Sequence, residues 1–412
     1  MVAKRVLFLG QTGVSKKEAL GNLATYCKKR YDRDCNVIDF DRDFLCGRVP
    51  QNAFLDANFR TQRREWLDAW DECFQKAIGP LMKKERDIFL GLHGCYTRSQ
   101  YGSRCVIDLK KVAQFQPTLV VTLIADVYDM WWRTESRAKG EAWRGMPTLE
   151  HLIAGRRSEV MVADLIALEC TERIDSLVIA ASHPCDTVAK CIFGTDPRLV
   201  YLSFPISEPR RQEEKGDLSG IEAVSNLIRL AHEKQKSDTD LAFICPLAID
   251  ELPLSLKLPP PDDKETEETP FTFERDKLRW DLARLWPLDE RMTKPAVPHG
   301  PFRIQDIRKA AGSIYTDVGW RDFRLAEQAD KLAVFNPIFP GRQTATRGVA
   351  NEVTFATAMG RPTYVYQDPA LDPENLCDKV WLTGYGAGTM GQSPSAKNIK
   401  REKTIEELLK SL

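Results

Sequence analysis

One stretch of this chain has residue types at a spacing that suits chemistry on an anion: Gly10-Gln11-Thr12-Gly13-Val14-Ser15-Lys16-Lys17. An apolar run, Val6 to Leu9, leads in, and a helical pattern leads out. Strand, glycine-bearing turn and helix in that order surround a phosphate with backbone N–H groups and a helix N-terminus. Against G-x-x-x-x-G-K-[ST], Gly10 and Lys16 match. Ser15 stands at the second glycine, where a positive φ is cheap only for Gly. Lys17 stands where the Mg²⁺-holding hydroxyl belongs. Gly10, Thr12, Gly13 and Lys16 therefore keep an anion nest. The expected loop binds phosphate through Lys16 and the backbone of 11–16, does not reach the usual left-handed geometry, and recognises more than it catalyses.

Other polar residues fall where short apolar strands end: Asp39 and Asp41 at the end of 36–40, His93 after 87–92, Asp126 after 119–124 and His183 after 176–181. Helical spacing separates these strands at 16–30, 62–84 and 148–172. Alternating strands and helices predict a parallel sheet covered on both faces, with ligands beyond the C-terminal strand ends. A second series begins near 198, with strands at 198–203, 241–244, 331–335 and 362–366 and helices at 219–235 and 349–359. Residues 240–250 read as one buried strand, 274–291 and 303–312 as helices, and 396–412 as a charged terminal helix. The Pro-rich, acidic stretch 253–270 reads as a mobile loop or linker. The fold class is α/β in two domains, 1–197 and 198–412, each a parallel sheet covered by helices. The length of 412 residues suits two domains.

Composition excludes several classes. Lys+Arg and Asp+Glu are both 59, which gives no general attraction to nucleic acid or an anionic membrane. The 11 Cys show neither C-x-x-C pairs nor His at zinc spacing, as expected of reduced, mostly buried thiols in a cytoplasmic protein. No metal spacing is found among the five His. No apolar run approaches the ~18 residues of a membrane span, and the N-terminus lacks a signal-peptide core. The Trp131-Trp132 pair reads as packing.

The N-terminal half resembles P-loop kinases, adenylate-kinase-like in layout, with a degenerate phosphate loop. That resemblance implies a nucleotide-binding domain using Gly10, Thr12, Gly13, Lys16, Asp39 and His93. It also implies a lid in which Arg133 and Arg137, at the head of an arginine-rich stretch running to Arg157, close on phosphates. The alternative for that stretch is a solvated pair of charged helices. ATP or another nucleotide with Mg²⁺ would be the ligand there.

The second half carries Tyr201-Leu202-Ser203-Phe204-Pro205-Ile206-Ser207, then Arg321-Asp322, then Ala329-Asp330 before an apolar strand. Gly348-Val349-Ala350-Asn351-Glu352 opens a helix that ends Gly360-Arg361-Pro362. In that order these pieces are similar to the nucleoside 2-deoxyribosyltransferase family and its relatives that hydrolyse deoxynucleotides. The resemblance implies cleavage or transfer at an N-glycosidic bond. Glu352 would attack or stabilise the cation at C1′, and Asp322, from a pair heading a helix, would assist the base. Tyr201, Ser203, Pro205, Ile206, Arg321, Arg347 and Gly348 would hold substrate, with the arginines favouring a phosphate-bearing one. Glu352, in a first helical turn, is expected to stay ionised. No cofactor is required for this chemistry, and a nucleotide or nucleoside is the partner. A homo-oligomer is implied by the relatives. The family's second acid is not evident, since the strand runs on through Asn336-Pro337. Two rival readings remain: a nucleotide kinase acting through the N-terminal domain, and a non-enzymatic nucleotide sensor or scaffold.

Overall fold

The computed structural model describes the chain except residues 1, 50, 99–101, 138–143, 145–146, 171–173, 257, 263–265, 267–268, 272–285, 298–299, 340–341 and 383–397. The chain folds into two compact units. The first gathers Met1–Ile192, Ala248–Glu274 and Leu288–Val318; the second gathers Phe193–Leu247, Arg275–Pro287 and Gly319–Leu412. A single cut at 197/198 does not describe this division. The reason is visible in the first unit's core. Glu251 accepts hydrogen bonds from the Val127 amide at 2.7 Å and from Arg156 at 2.7 and 2.9 Å. Asp317 accepts from both Arg156 and Arg157. These buried carboxylates anchor two later segments in the first unit.

The first unit is built on strands β1 (Arg5–Leu9), β2 (Cys35–Asp39), β3 (Asp87–Leu92), β4 (Leu119–Ile124) and β5 (Ser176–Ala180). They form one parallel sheet in the order β2-β3-β1-β4-β5. Every residue of β3 and β4 is buried, which is why these strands are apolar runs rather than alternating patterns. Helices α1 (Lys16–Tyr31), α2 (Phe59–Cys73), α3 (Val127–Glu135), α4 (Leu149–Glu169) and α5 (Cys185–Phe193) belong to this unit. Asn58 caps α2 by accepting from the Thr61 amide, and Thr148 caps α4 by accepting from the His151 amide. On α2, Trp66 and Trp70 stack at 5.4 Å and pack against Phe40. The rings of Trp131 and Trp132 lie 4.4 and 5.2 Å from that of Phe302, so both pack as expected, Trp132 in the core and Trp131 half-buried at its edge.

The second unit holds β6 (Arg198–Ser203), β7 (Leu241–Ile244), β8 (Lys331–Phe335), β9 (Thr363–Tyr366) and β10 (Ile399–Glu402). The sheet is again parallel, ordered β7-β6-β8-β9-β10. In chain order this is 2-1-3-4-5, a doubly wound sheet whose switch point lies between its first and third strands, here β6 and β8. Helices α6 (Ser219–Ser237), α8 (Arg347–Ala358) and α9 (Ile405–Ser411) belong here; α7 (Ile304–Glu327) begins in the first unit and ends in the second. The Asp330 carboxylate accepts from the Leu199 amide at 2.7 Å, fixing the start of β8 beside β6.

The expected fold class holds: two α/β units, each a five-stranded parallel sheet covered by helices. Several elements differ from expectation. The C-terminal segment is not one helix: Ile399–Glu402 pairs as an edge strand before α9. Its charged side chains suit an exposed edge, and they concealed it. The expected helix 303–312 extends to Glu327. The strand expected over 240–250 stops at Ile244, and Pro246–Ala248 forms a 3₁₀ turn. Pro246 cannot continue the ladder. The polar stretch after β6 is a helix, Ser207–Glu214. Most of the expected helix at 274–291 lies outside the described residues, and Leu288–Glu290 is a turn.

Candidate functional site

Two polar clusters sit at C-terminal strand ends, one in each unit. In the first unit β1 delivers the glycine-bearing loop. Gly13 has φ 91°, and a Cβ there would lie 2.7 Å from the Met130 carbonyl oxygen. Only glycine fits. Ser15 is itself left-handed, with φ 64° and ψ 43°. The expectation that a serine would keep the loop out of this geometry is therefore corrected. The fold holds Ser15 there at a cost of about 1–2 kcal/mol, the kind of local strain found at functional sites. Among the described residues, the amides of Thr12, Gly13, Ser15 and Lys16 have no protein acceptor. They form an open nest at the start of α1.

Charge gathers around this nest. Lys16 is buried; its Nζ donates to the Gly10 carbonyl and lies 3.9 Å from Asp41 Oδ2. His93 Nδ1 lies 2.8 Å from the same oxygen, off the line of a hydrogen bond. The other ring nitrogen, Nε2, is 3.3 Å from Thr12 Oγ1. Tyr96 donates its hydroxyl to Asp41 Oδ1 at 2.9 Å. Burial would raise the Asp41 carboxyl, but His93, Lys16 and the Tyr96 bond outweigh it and bring it down to about 2. Asp41 is a buried anion held by its neighbours. Glu159, on α4, accepts from the Gly94 amide at 2.8 Å, and burial raises its carboxyl. Gln11 donates to the Leu152 carbonyl at 2.7 Å. That reach depends on Gly155, where a Cβ would lie 2.1 Å from Gln11 Oε1. Gln11, Thr12, His93, Cys95, Thr97 and His151 line a pocket with a free volume of about 20 Å³, room for a group the size of water.

The other residues expected at this site are placed differently. Asp39 is half-buried, accepts from the Arg42 amide at 3.3 Å, and is raised by burial and by Asp41. Arg133 donates to the Gly13 carbonyl at 3.1 Å and to the Lys294 carbonyl at 2.5 Å. It braces the loop from behind. Arg137 is half-buried, close enough to Cys46 to act on that thiol's charge. Further along the arginine stretch, Arg156 is buried between Glu251 and Asp317, so the helix Leu149–Glu169 that carries it is packed rather than solvated. A Mg²⁺ ion does not fit the donor set. Lys17 replaces the usual hydroxyl, and Asp41 faces Lys16 and His93, two groups that repel or compete with a cation. His183 is buried, with Nδ1 3.2 Å from the Ala180 carbonyl, and takes no part.

In the second unit, β6 ends at the switch point and presents two hydroxyls to one carboxyl group. Tyr201 donates to Glu352 Oε1 at 2.9 Å, and Ser203 donates to Glu352 Oε2 at 2.5 Å. Arg321 pairs with the neighbouring Asp322, with Nε and Nη2 at 3.0 and 2.9 Å from Oδ1. Burial, then the charge of Asp322, push Glu352 up to about 8, against the pull of Ser203, Tyr201 and Arg321. The expectation of an ionised glutamate in a first helical turn is corrected. Helix α8 starts at Arg347, so Glu352 sits in its second turn, beyond the free N–H groups, with its side chain buried. The Arg321-Asp322 pair also does not head a helix; it lies near the C-terminal end of α7. Arg347 and Gly348 are exposed at the start of α8, and Pro205 and Ile206 follow β6. Arg342 is tied to Glu208 at 2.6 Å.

The structure brings Thr12, Lys16 and His93 together around Asp41, and likewise Glu352, Tyr201, Ser203, Asp322 and Arg321. Sequence reasoning missed Tyr96 and Glu159. Glu159 had left a signal: it shares the buried stripe of α4 with Arg156, Ala163 and Ile166. No family model matches the chain, and no curated protein matches it. Among solved structures it is similar to a conserved protein from Enterococcus faecalis V583 at 11% identity, covering 52% of this chain and 99% of that one, with a TM-score of 0.24. Likeness at that level carries no argument.

Proposed function

We propose that this protein cleaves, or exchanges the base at, the N-glycosidic bond of a nucleotide in its second unit, while the loop of its first unit binds the phosphates of a nucleotide. The observation that carries this reading is the buried Glu352 carboxyl held between Tyr201 and Ser203 beside the Arg321–Asp322 pair. Both carboxyl oxygens receive a donated hydrogen bond, an arrangement that holds an anion in line once the proton has left. A carboxylate whose conjugate acid is weak is also the stronger nucleophile. Glu352 attacks C1′, the C1′–N bond breaks, and its electron pair leaves with the base. Positive charge developing on the sugar offsets the burial cost of the Glu352 anion. Asp322, fixed by Arg321, steers the departing base. Water, or a second base, then takes the sugar from Glu352. Side chains suffice for these steps. Arg347, exposed beside Gly348 at the start of α8, would meet a phosphate on the sugar.

Incubation with a panel of ribo- and deoxyribonucleotides, followed by chromatography for free base, tests this. Release from at least one nucleotide is expected, with loss in Glu352→Gln. Because free Glu352 holds its proton up to about pH 8, kcat/KM should rise with pH through that value. Release that is equal in Glu352→Gln, or absent from every nucleotide, contradicts the reading.

A further inference from the structure

The first unit holds a constellation that phosphate binding alone does not use. Thr12 Oγ1 lies 3.3 Å from His93 Nε2, and His93 Nδ1 lies 2.8 Å from Asp41 Oδ2. A hydroxyl, an imidazole that reaches it, and a carboxylate behind the imidazole are the parts of an activated nucleophile. Tyr96 fixes the far oxygen of Asp41 at 2.9 Å, so the carboxylate cannot turn away from the ring. Thr12 and His93 both face the pocket, which has room for water. The open amides of Thr12, Gly13, Ser15 and Lys16, and the Lys16 ammonium itself, converge on the same loop.

Resting on the reading that this loop binds the phosphates of a nucleotide, we propose that the first unit is a second catalytic centre, one that transfers the terminal phosphoryl group of a nucleoside triphosphate to Thr12 and then to water. In this centre Thr12 is the nucleophile and His93 the general base, and Asp41 is a positioning residue that holds the ring. The loop amides and Lys16 hold the phosphoryl oxygens. A multiply charged tetrahedral group suits a cradle of several amides and an ammonium; a neutral acyl carbon would need only a pair of donors.

The step balances without another reactant. Thr12 Oγ1 forms a bond to the terminal phosphorus as the bond from that phosphorus to the bridging oxygen breaks. The Thr12 proton passes to His93 Nε2, which releases it to the departing nucleoside diphosphate or to solvent. Water in the pocket then attacks the phosphothreonine and gives one proton to His93. The Thr12–phosphorus bond breaks, His93 returns that proton to Thr12, and inorganic phosphate leaves. The off-line approach of His93 to Asp41 is of the kind that tightens when substrate binds. The buried Asp41 anion stabilises the imidazolium formed in each half of the cycle.

The test uses the full-length protein and ATP labelled in its terminal phosphate, with acid quench, peptide mapping and an unlabelled chase. Label is expected on Thr12, cleared by the chase, and retained in Thr12→Ser. His93→Gln should slow labelling by about 100-fold or more. Asp41→Asn should lower the labelling rate while leaving the ATP concentration at half-maximal rate unchanged, a split that a merely structural role would not give. Absence of label from the wild-type peptide spanning 11–16 would overturn the proposal. So would equal labelling of Thr12→Val elsewhere in the chain, or modification of Thr12 by p-nitrophenyl acetate with none by ATP. Because Thr12→Ser and the wild type carry the decisive readouts, a misfolded Thr12→Val does not rescue the idea.

Discussion

The two polar clusters occupy equivalent places, the C-terminal ends of parallel strands, yet they treat a buried carboxyl group in opposite ways. Asp41 is surrounded by Lys16, His93 and the Tyr96 hydroxyl, and is held down at about 2. Glu352 has hydroxyls against it and a second carboxylate near it, and is pushed up to about 8. Both carboxyls are buried, so the difference comes from the neighbours. Two hydroxyls do not outweigh desolvation, whereas a cation and an imidazole do. The first site is built around a settled negative charge. The second keeps its proton up to about pH 8 and becomes an anion only against the cost of burial.

That contrast can be broken or sharpened by measurement. The largest effect is expected at Glu352. Its folded value lies above the ordinary 4.5, so its contribution to stability is complete below about 4.5 and is lost as pH rises through about 8. Glu352→Gln should therefore be more stable than wild type at pH 9, on the order of a few kcal/mol, and nearly equal to it at pH 4. Chemical denaturation at the two pH values measures this, and a variant less stable at pH 9 would contradict the account.

Asp41 should behave in reverse. Its folded value is depressed below the ordinary 3.8, so its contribution is present above that value and lost as pH falls through about 2. Asp41→Asn should cost about 2 kcal/mol at pH 7, with the gap to wild type closing toward pH 2. A gap that stays constant with pH would show that Asp41 acts through packing rather than charge. The smallest effect belongs to the loop itself. Ser15→Gly removes left-handed strain and should stabilise the first unit by up to about 1 kcal/mol, read as a raised melting temperature. A destabilised variant would mean that the Ser15 side chain makes a contribution larger than the strain.

Much of this was legible in the sequence. The strands β1, β3, β4, β6 and β8 are apolar runs followed by glycine or polar residues, so both sheets and the C-terminal ends of their strands could be read directly. The spacing from Gly10 to Lys16 marked the nest, and the ordered series from Tyr201 to Glu352 marked the second cluster. What could not be read depended on tertiary context. The ionisation of Glu352 follows from where α8 begins and from Asp322 nearby, neither of which periodicity gives. The left-handed Ser15 is imposed by the packing of the loop against its neighbours, against the residue's own preference. Strand β10 carries Lys400, Arg401 and Glu402, so its edge position removed the apolar signal. The split of the first unit into three segments rests on Glu251 and Asp317, single acids whose partner Arg156 lies far away in sequence.

The central claim is that Glu352 performs chemistry on an N-glycosidic bond. Its most direct test is free base released from the nucleotide panel by wild type and by Glu352→Gln at the same pH. The account predicts release by wild type, rising through about pH 8, and a loss of at least about 100-fold in the variant. Undiminished release by Glu352→Gln would contradict it.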